Sequence, residues 1–204
     1  SNFWNGRHGE NAHLRTLALV LRSPGTGRAI VDSNSFKAAW TRSGDQLYTH
    51  PLDALSASAL PVGVKNFLHV VGLPDEAAPF LSFKPLKSEW LGNPDRQYQI
   101  GSDGSGSPIV IDQQGDVWLI DHETPTRRSL VNSSLEALAD CLIAYRALVT
   151  ATVSVGGDDA FLDGRVPKQL IERFAASVSA SDPAATQPGT FWGGEVSRLI
   201  AELP

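Results

Sequence analysis

Few residues of this chain have the type and spacing that chemistry needs. Its five histidines, His8, His13, His50, His69 and His122, are scattered, and no two have the spacing of a metal-ligand pair. His122 and Glu123 follow Asp121 and read as a solvated strand end, and His69 reads as a helix-surface residue. The single cysteine, Cys141, lies beside Leu142 in a helical pattern. No base can be nominated for it, so burial as a small hydrophobe is the expected role. The run Ser102-Asp103-Gly104-Ser105-Gly106-Ser107 has the glycines of a phosphate cradle. It lacks the Gly-Lys-Ser/Thr ending, and no helix follows to supply N–H donors. It also lacks the bidentate Glu of a calcium loop. No catalytic residue, metal ligand or cofactor site is therefore expected.

What remains is a set of acidic side chains. Asp103, Asp112, Asp116, Asp121 and Glu123 all fall on or beside turns. One reading is an acidic patch that meets a basic partner surface, with opposite potentials speeding encounter. The other is that each Asp bonds the backbone of its own turn. Trp90, in a Pro-containing connection, is a candidate interface anchor or a plug at the edge of the core. Trp192, close to glycines, is likewise either a partly exposed interface anchor or a plug at the edge of the core, and Trp118, inside an apolar run, is expected in the core.

The elements that position these residues follow from periodicity. Gln97–Gly101, Pro108–Gln113 and Val117–His122 read as strands joined by Gly-rich turns, with a further strand over Arg127–Val131. The middle two runs are apolar at both parities, so they are central or covered on both faces. A helix follows, with Leu135, Leu138, Leu142, Tyr145 and Val149 along one face. Ser133 and Glu136 have capping-box spacing, and Asn132 is an alternative cap. Earlier, Leu60–Val71 reads as a helix with Pro61 in its first turn and Gly72 at its left-handed end. Phe80–Phe83 suits a strand, and Phe36–Trp40 is ambiguous between helix and strand. A helix over 10–21 and a strand over 28–32 are also expected. The C-terminal third predicts helices over Val166–Ala180, with Pro167 in the first turn, and Phe191–Leu203. The fold class is α+β, an antiparallel β-meander packed against several helices. The chain reads as a single domain over 1–204, with 1–35 as an N-terminal extension.

Composition narrows the partners. The 204 residues are 42% hydrophobic and 19% charged, an ordinary globular balance. A net charge of -5 argues against direct nucleic-acid binding, which needs clustered Lys and Arg. One cysteine forbids an intrachain disulfide and suits a reducing compartment. The apolar runs are too short or interrupted to span a bilayer, and no secretory signal opens the chain. A cytoplasmic location without membrane association, and a monomer, are expected.

Several patches together resemble a known family. They are Phe67-Leu-His-Val-Val-Gly-Leu-Pro74, Tyr98-Gln-Ile-Gly101, Ile109-Val-Ile-Asp-Gln-Gln-Gly-Asp-Val-Trp118, Val131-Asn-Ser-Ser-Leu-Glu136, and Asp182-Pro183 followed by Phe191-Trp192. In this order the chain is similar to the SUKH superfamily, in particular its fourth group of immunity proteins from bacterial polymorphic toxin systems. The resemblance covers roughly 36–203. It implies an α+β fold and a non-catalytic protein that binds and neutralises a cognate toxin, commonly a nuclease or another nucleic-acid-modifying enzyme. The superfamily also implies an alternative, a regulatory or scaffold module with a non-toxin client.

Overall fold

A computed structural model describes residues 33–41, 44–83 and 97–203. The expected helix over 10–21, the strand over 28–32 and Trp90 lie outside these residues. Ser33–Thr41 forms helix α1, which settles the ambiguity at Phe36–Trp40. Phe36 and Trp40, four apart, share its buried face. Leu47–Tyr48 (β1) pairs antiparallel with Leu73–Pro74 (β2) in a small sheet. Between them lie the short helices α2, Leu52–Ala57, and α3, Val62–Asn66. The last runs on into one wide π turn, Phe67–Val71, so the expected helix over Leu60–Val71 exists but loosens at its end. Pro61 stands just before it rather than in its first turn. Gly72 closes it at φ 79°, as the sequence predicts. A side chain there would also run into the Tyr48 carbonyl, so glycine is required twice over.

Glu76–Ala77 (β3), Leu81–Ser82 (β4), Tyr98–Asp103 (β5), Pro108–Ile111 (β6), Val117–Ile120 (β7) and Arg128–Asn132 (β8) form one antiparallel sheet in that spatial order. Every neighbour in space is a neighbour in sequence, and the turns that join β3 to β4, β5 to β6 and β6 to β7 are too short to reach any other strand. β5 carries an irregularity between Gln99 and Gly101, and a Cβ on Gly101 would strike the Ser82 carbonyl of β4. Leu135–Gly156 (α4), Lys168–Ser181 (α5), the 3-10 turn Pro183–Thr186 and Phe191–Ala201 (α6) follow. The architecture is α+β.

β6 is buried along its whole length. Ile109, Ile111, Val117 and Val131 join Leu135, Leu138, Leu142 and Tyr145 of α4 in one core. Each such side chain, fully buried, contributes about 1.5–3 kcal/mol. By length and composition α4 could cross a membrane, yet its Leu138, Cys141, Leu142, Tyr145 and Leu148 are buried in this core. Trp118 differs from expectation. It pairs with Val110, so it shares the sheet face opposite Ile109 and Ile111, and it is only half-buried. Trp192 takes the core alternative, being 0% exposed among Tyr145, Phe174 and Phe191.

The N-cap of α4 is Ser134, whose side chain accepts from the Ala137 amide at 3.1 Å. The expected Ser133 lies one residue too early and Asn132 is the last residue of β8. Ser134→Ala is therefore expected to cost about 1 kcal/mol in denaturant-unfolding free energy. Ser133→Ala should leave it nearly unchanged.

His50 is 2% exposed, with Nδ1 3.1 Å from the Tyr98 hydroxyl. Burial lowers its pKa to about 4. Above pH 6.5 the ring is neutral in both folded and unfolded chains, and its place in the fold costs nothing in protons. As pH falls below that, the unfolded chain takes up a proton first and stability drops until about pH 4, by about 1.4 kcal/mol per unit. His50→Gln is expected to flatten the stability–pH curve across this window, read from urea midpoints.

Candidate partner-binding site

The turns of the meander are built by their aspartates. Asp103 Oδ1 accepts from the amides of Ser105 and Ser107, each at 2.9 Å. Asp112 Oδ1 accepts from Gln114 and Asp116 in the same pattern, each at 3.0 Å. In both turns the residue three on is a glycine at positive φ, Gly106 or Gly115. Asp121 Oδ1 likewise accepts from the Glu123 amide at 2.9 Å and the Thr124 amide at 3.1 Å. Three of the five candidate acids thus shape the backbone that carries them.

The five do not converge. In an antiparallel meander, consecutive turns lie at opposite ends of the sheet. The β5–β6 and β7–β8 turns therefore share one end, with Asp103, Asp121 and Glu123. The β6–β7 turn, with Asp112 and Asp116, lies at the other. There Asp112 Oδ2 takes the Trp118 indole N–H at 2.9 Å, and Arg128 stacks on that indole 4.2 Å from its centre. The Asp116 carboxyl is pushed up by burial, then by Asp112 and Asp182, with Arg128 opposing. Trp90 is outside the described residues.

Among the described residues, the end that holds Asp103, Asp121 and Glu123 is open. A shallow hollow of ≈ 340 Å³ lies there, lined by Ser105, Ser107, Leu119, Asp121, His122, Glu123, Arg127 and Ser129. Ser107 and His122 have a role that single-residue reading misses. Ser107 Oγ is 2.9 Å from His122 Nδ1 and 3.1 Å from Ser105 Oγ, which donates to Asp103 Oδ1 at 2.7 Å. This chain staples the β5–β6 turn to the β7–β8 turn. Its carboxylate sits at the serine end rather than behind the imidazole, unlike a nucleophilic triad. The available signal was hairpin register. Ile109 opposite Leu119, continued outward, sets Ser107 beside Asp121 and His122.

At the opposite end a buried polar knot joins four elements. Asn132 Nδ2 donates to Asp182 Oδ2 at 3.2 Å and to Cys141 Sγ at 3.4 Å. Asn132 Oδ1 accepts from Trp192 Nε1 at 2.9 Å, and Asp182 Oδ2 also takes the Ser133 amide at 2.6 Å. Burial pushes the Cys141 thiol up to about 12, with the Asn132 hydrogen bond opposing. A thiol so held is not a nucleophile at neutral pH. Among the described residues no group of three His, Cys, Asp or Glu side chains is placed to hold a metal ion. Cys141 is expected to react with a disulfide reagent at pH 8 only as the chain opens. The check is labelling kinetics against urea, where a fast phase in native protein would count against this burial.

A family model described as SUKH-4 immunity protein matches residues 37–198, from α1 through the meander to α6. No curated protein and no solved structure matches the chain. The match takes in the Asp-Gly turns, the Ser134-capped helix and the Asn132–Asp182–Trp192 knot, so the elements that build the site are the family's own span. The chain belongs to the SUKH-4 immunity protein family.

Proposed function

We propose that this chain is a cytoplasmic immunity protein that neutralises one cognate toxin by stoichiometric binding and does no chemistry itself. Its family supports a toxin-neutralising role. The toxin is a nuclease or another nucleic-acid-modifying enzyme, whose basic substrate cleft offers the complementary charge. The observation that carries this reading is the open end of the sheet. Asp103, Asp121 and Glu123 gather there on turns fixed by their own hydrogen bonds and by the Ser107–His122 staple. A pre-shaped acidic surface binds without paying to order loops. Asp112 and Asp116 contribute at the other end only to the overall negative field.

The test is co-expression with the toxin encoded beside this chain's gene. Growth should be restored, and the two proteins should co-purify at equal stoichiometry with an affinity that weakens as salt rises. Toxicity without rescue, and no complex, would move the assignment to a regulatory or scaffold module with another client.

A further inference from the structure

The β3–β4 turn opens onto the same end of the sheet. Leu81 pairs with Asp103, so Phe80, just before it, stands against the β5–β6 turn. Phe80 is 80% exposed. It is also the one non-glycine residue at positive φ among the described residues, at 60°. An aromatic side chain is disfavoured in that backbone region, where glycine or asparagine would serve the turn better. Its ring gains little burial to offset this. A Cβ on neighbouring Gly104 would come 3.0 Å from the Phe80 Cβ, so the β5–β6 turn packs closely on the base of this side chain while its ring stays exposed.

We infer that Phe80 is the apolar anchor of a docking surface formed by this end of the sheet, and that its partner is a basic protein surface with an apolar pocket. The inference rests on the toxin-binding reading above and names how that site would hold its partner. Charge complementarity fixes the occupant. Asp103 lies on the turn beside Phe80, and Asp121 and Glu123 line the hollow together with one cation, Arg127. The hollow takes one cationic side chain from the partner, with Asp121, Glu123 and Ser107 as acceptors. From β4 to β8 this end spans four strand spacings, roughly 19 Å, wide enough for a ring pocket and a separate basic side chain. A buried aromatic surrounded by polar contacts is how most interfaces concentrate their affinity.

The test uses the full chain and a catalytically inactive form of the toxin encoded beside its gene, by calorimetry at two salt concentrations with thermal melts alongside. Phe80→Gly relieves the left-handed backbone, so its melting temperature should hold or rise, while affinity falls at least tenfold with an unchanged salt dependence. The triple variant Asp103→Asn, Asp121→Asn, Glu123→Gln removes three charges and keeps the Asx oxygens that cap the turns at 103 and 121. It should bind more slowly and lose most of the salt dependence. Wild-type affinity in Phe80→Gly would overturn the anchor while leaving the immunity reading intact. A melting temperature that falls together with affinity would overturn it too, by making Phe80 a structural residue. Absence of any wild-type complex removes both readings.

Discussion

The seating of the helices on the sheet depends on Asn132 and Asp182. Both are buried, at 0% and 2% exposure, and a buried carboxylate is tolerated only where donors surround it. Asn132 ends the last strand, Asp182 ends α5, and Trp192 opens α6. Each partner holds one position of the next, so the strand and both C-terminal helices can meet in only one register. Removing either polar side chain would leave the other buried without its donor or acceptor, at a cost of about 1–3 kcal/mol or more where the charge is stranded. Apolar contacts among Tyr145, Phe174, Phe191 and Trp192 supply bulk attraction at the same place, but they are far less particular about angle.

A consequence is that the two ends of the sheet do different work. The knot draws α4, α5 and α6 to the Asn132 end. Helix α4 begins there, three residues after β8. Among the described residues, the end with the β3–β4, β5–β6 and β7–β8 turns has no helix cap of that kind and holds its shape by local means. It does so with Asp103 and Asp121 bonding their own turns, and with Ser107 and His122 linking one turn to the next. Local bonds of this sort order a surface without committing it to the core, which is what a partner-binding face requires.

What was legible in the sequence was whatever depends on near neighbours. The hairpin turns, the left-handed Gly72 and the amphipathic face of α4 are written in spacings of two to four residues, and β4 to β8 fall within a few residues of their expected bounds, whereas the two-residue strands β2 and β3 carried no such pattern. The errors sit where a local pattern has two solutions. Val117 to Ile120 is apolar at both parities, so the sequence did not say which face Trp118 takes. The cross-strand Val110 decides it. Ser133 and Ser134 both offer a capping hydroxyl, and the Ser133 amide is taken by Asp182, 49 residues away. Trp192 beside its glycines reads equally as anchor or plug until Asn132, 60 residues earlier, supplies its acceptor. The five acids look like one patch along the chain and become two groups once alternating hairpins send them to opposite ends. Phe80 carried no signal at all, because its backbone angle is set by the β3–β4 turn rather than by its own preference.

This division bears on how a single fold can meet partners of different shape. Binding specificity changes through side chains that can be exchanged without disturbing what holds them. At the Asn132 end almost any exchange strands a buried polar group. At the open end the β5–β6 turn requires the Asp103 oxygen, a small residue at Gly104, the Ser105 hydroxyl and a glycine at Gly106, and the β7–β8 turn requires the Asp121 oxygen. Phe80 and Glu123 are exposed and bear no load from the core. Sequence change at those positions alters the charge and relief of the surface while the knot keeps the sheet and helices in place. The physical separation of a polar knot from a self-supporting set of turns is therefore what allows recognition to vary on a fixed scaffold.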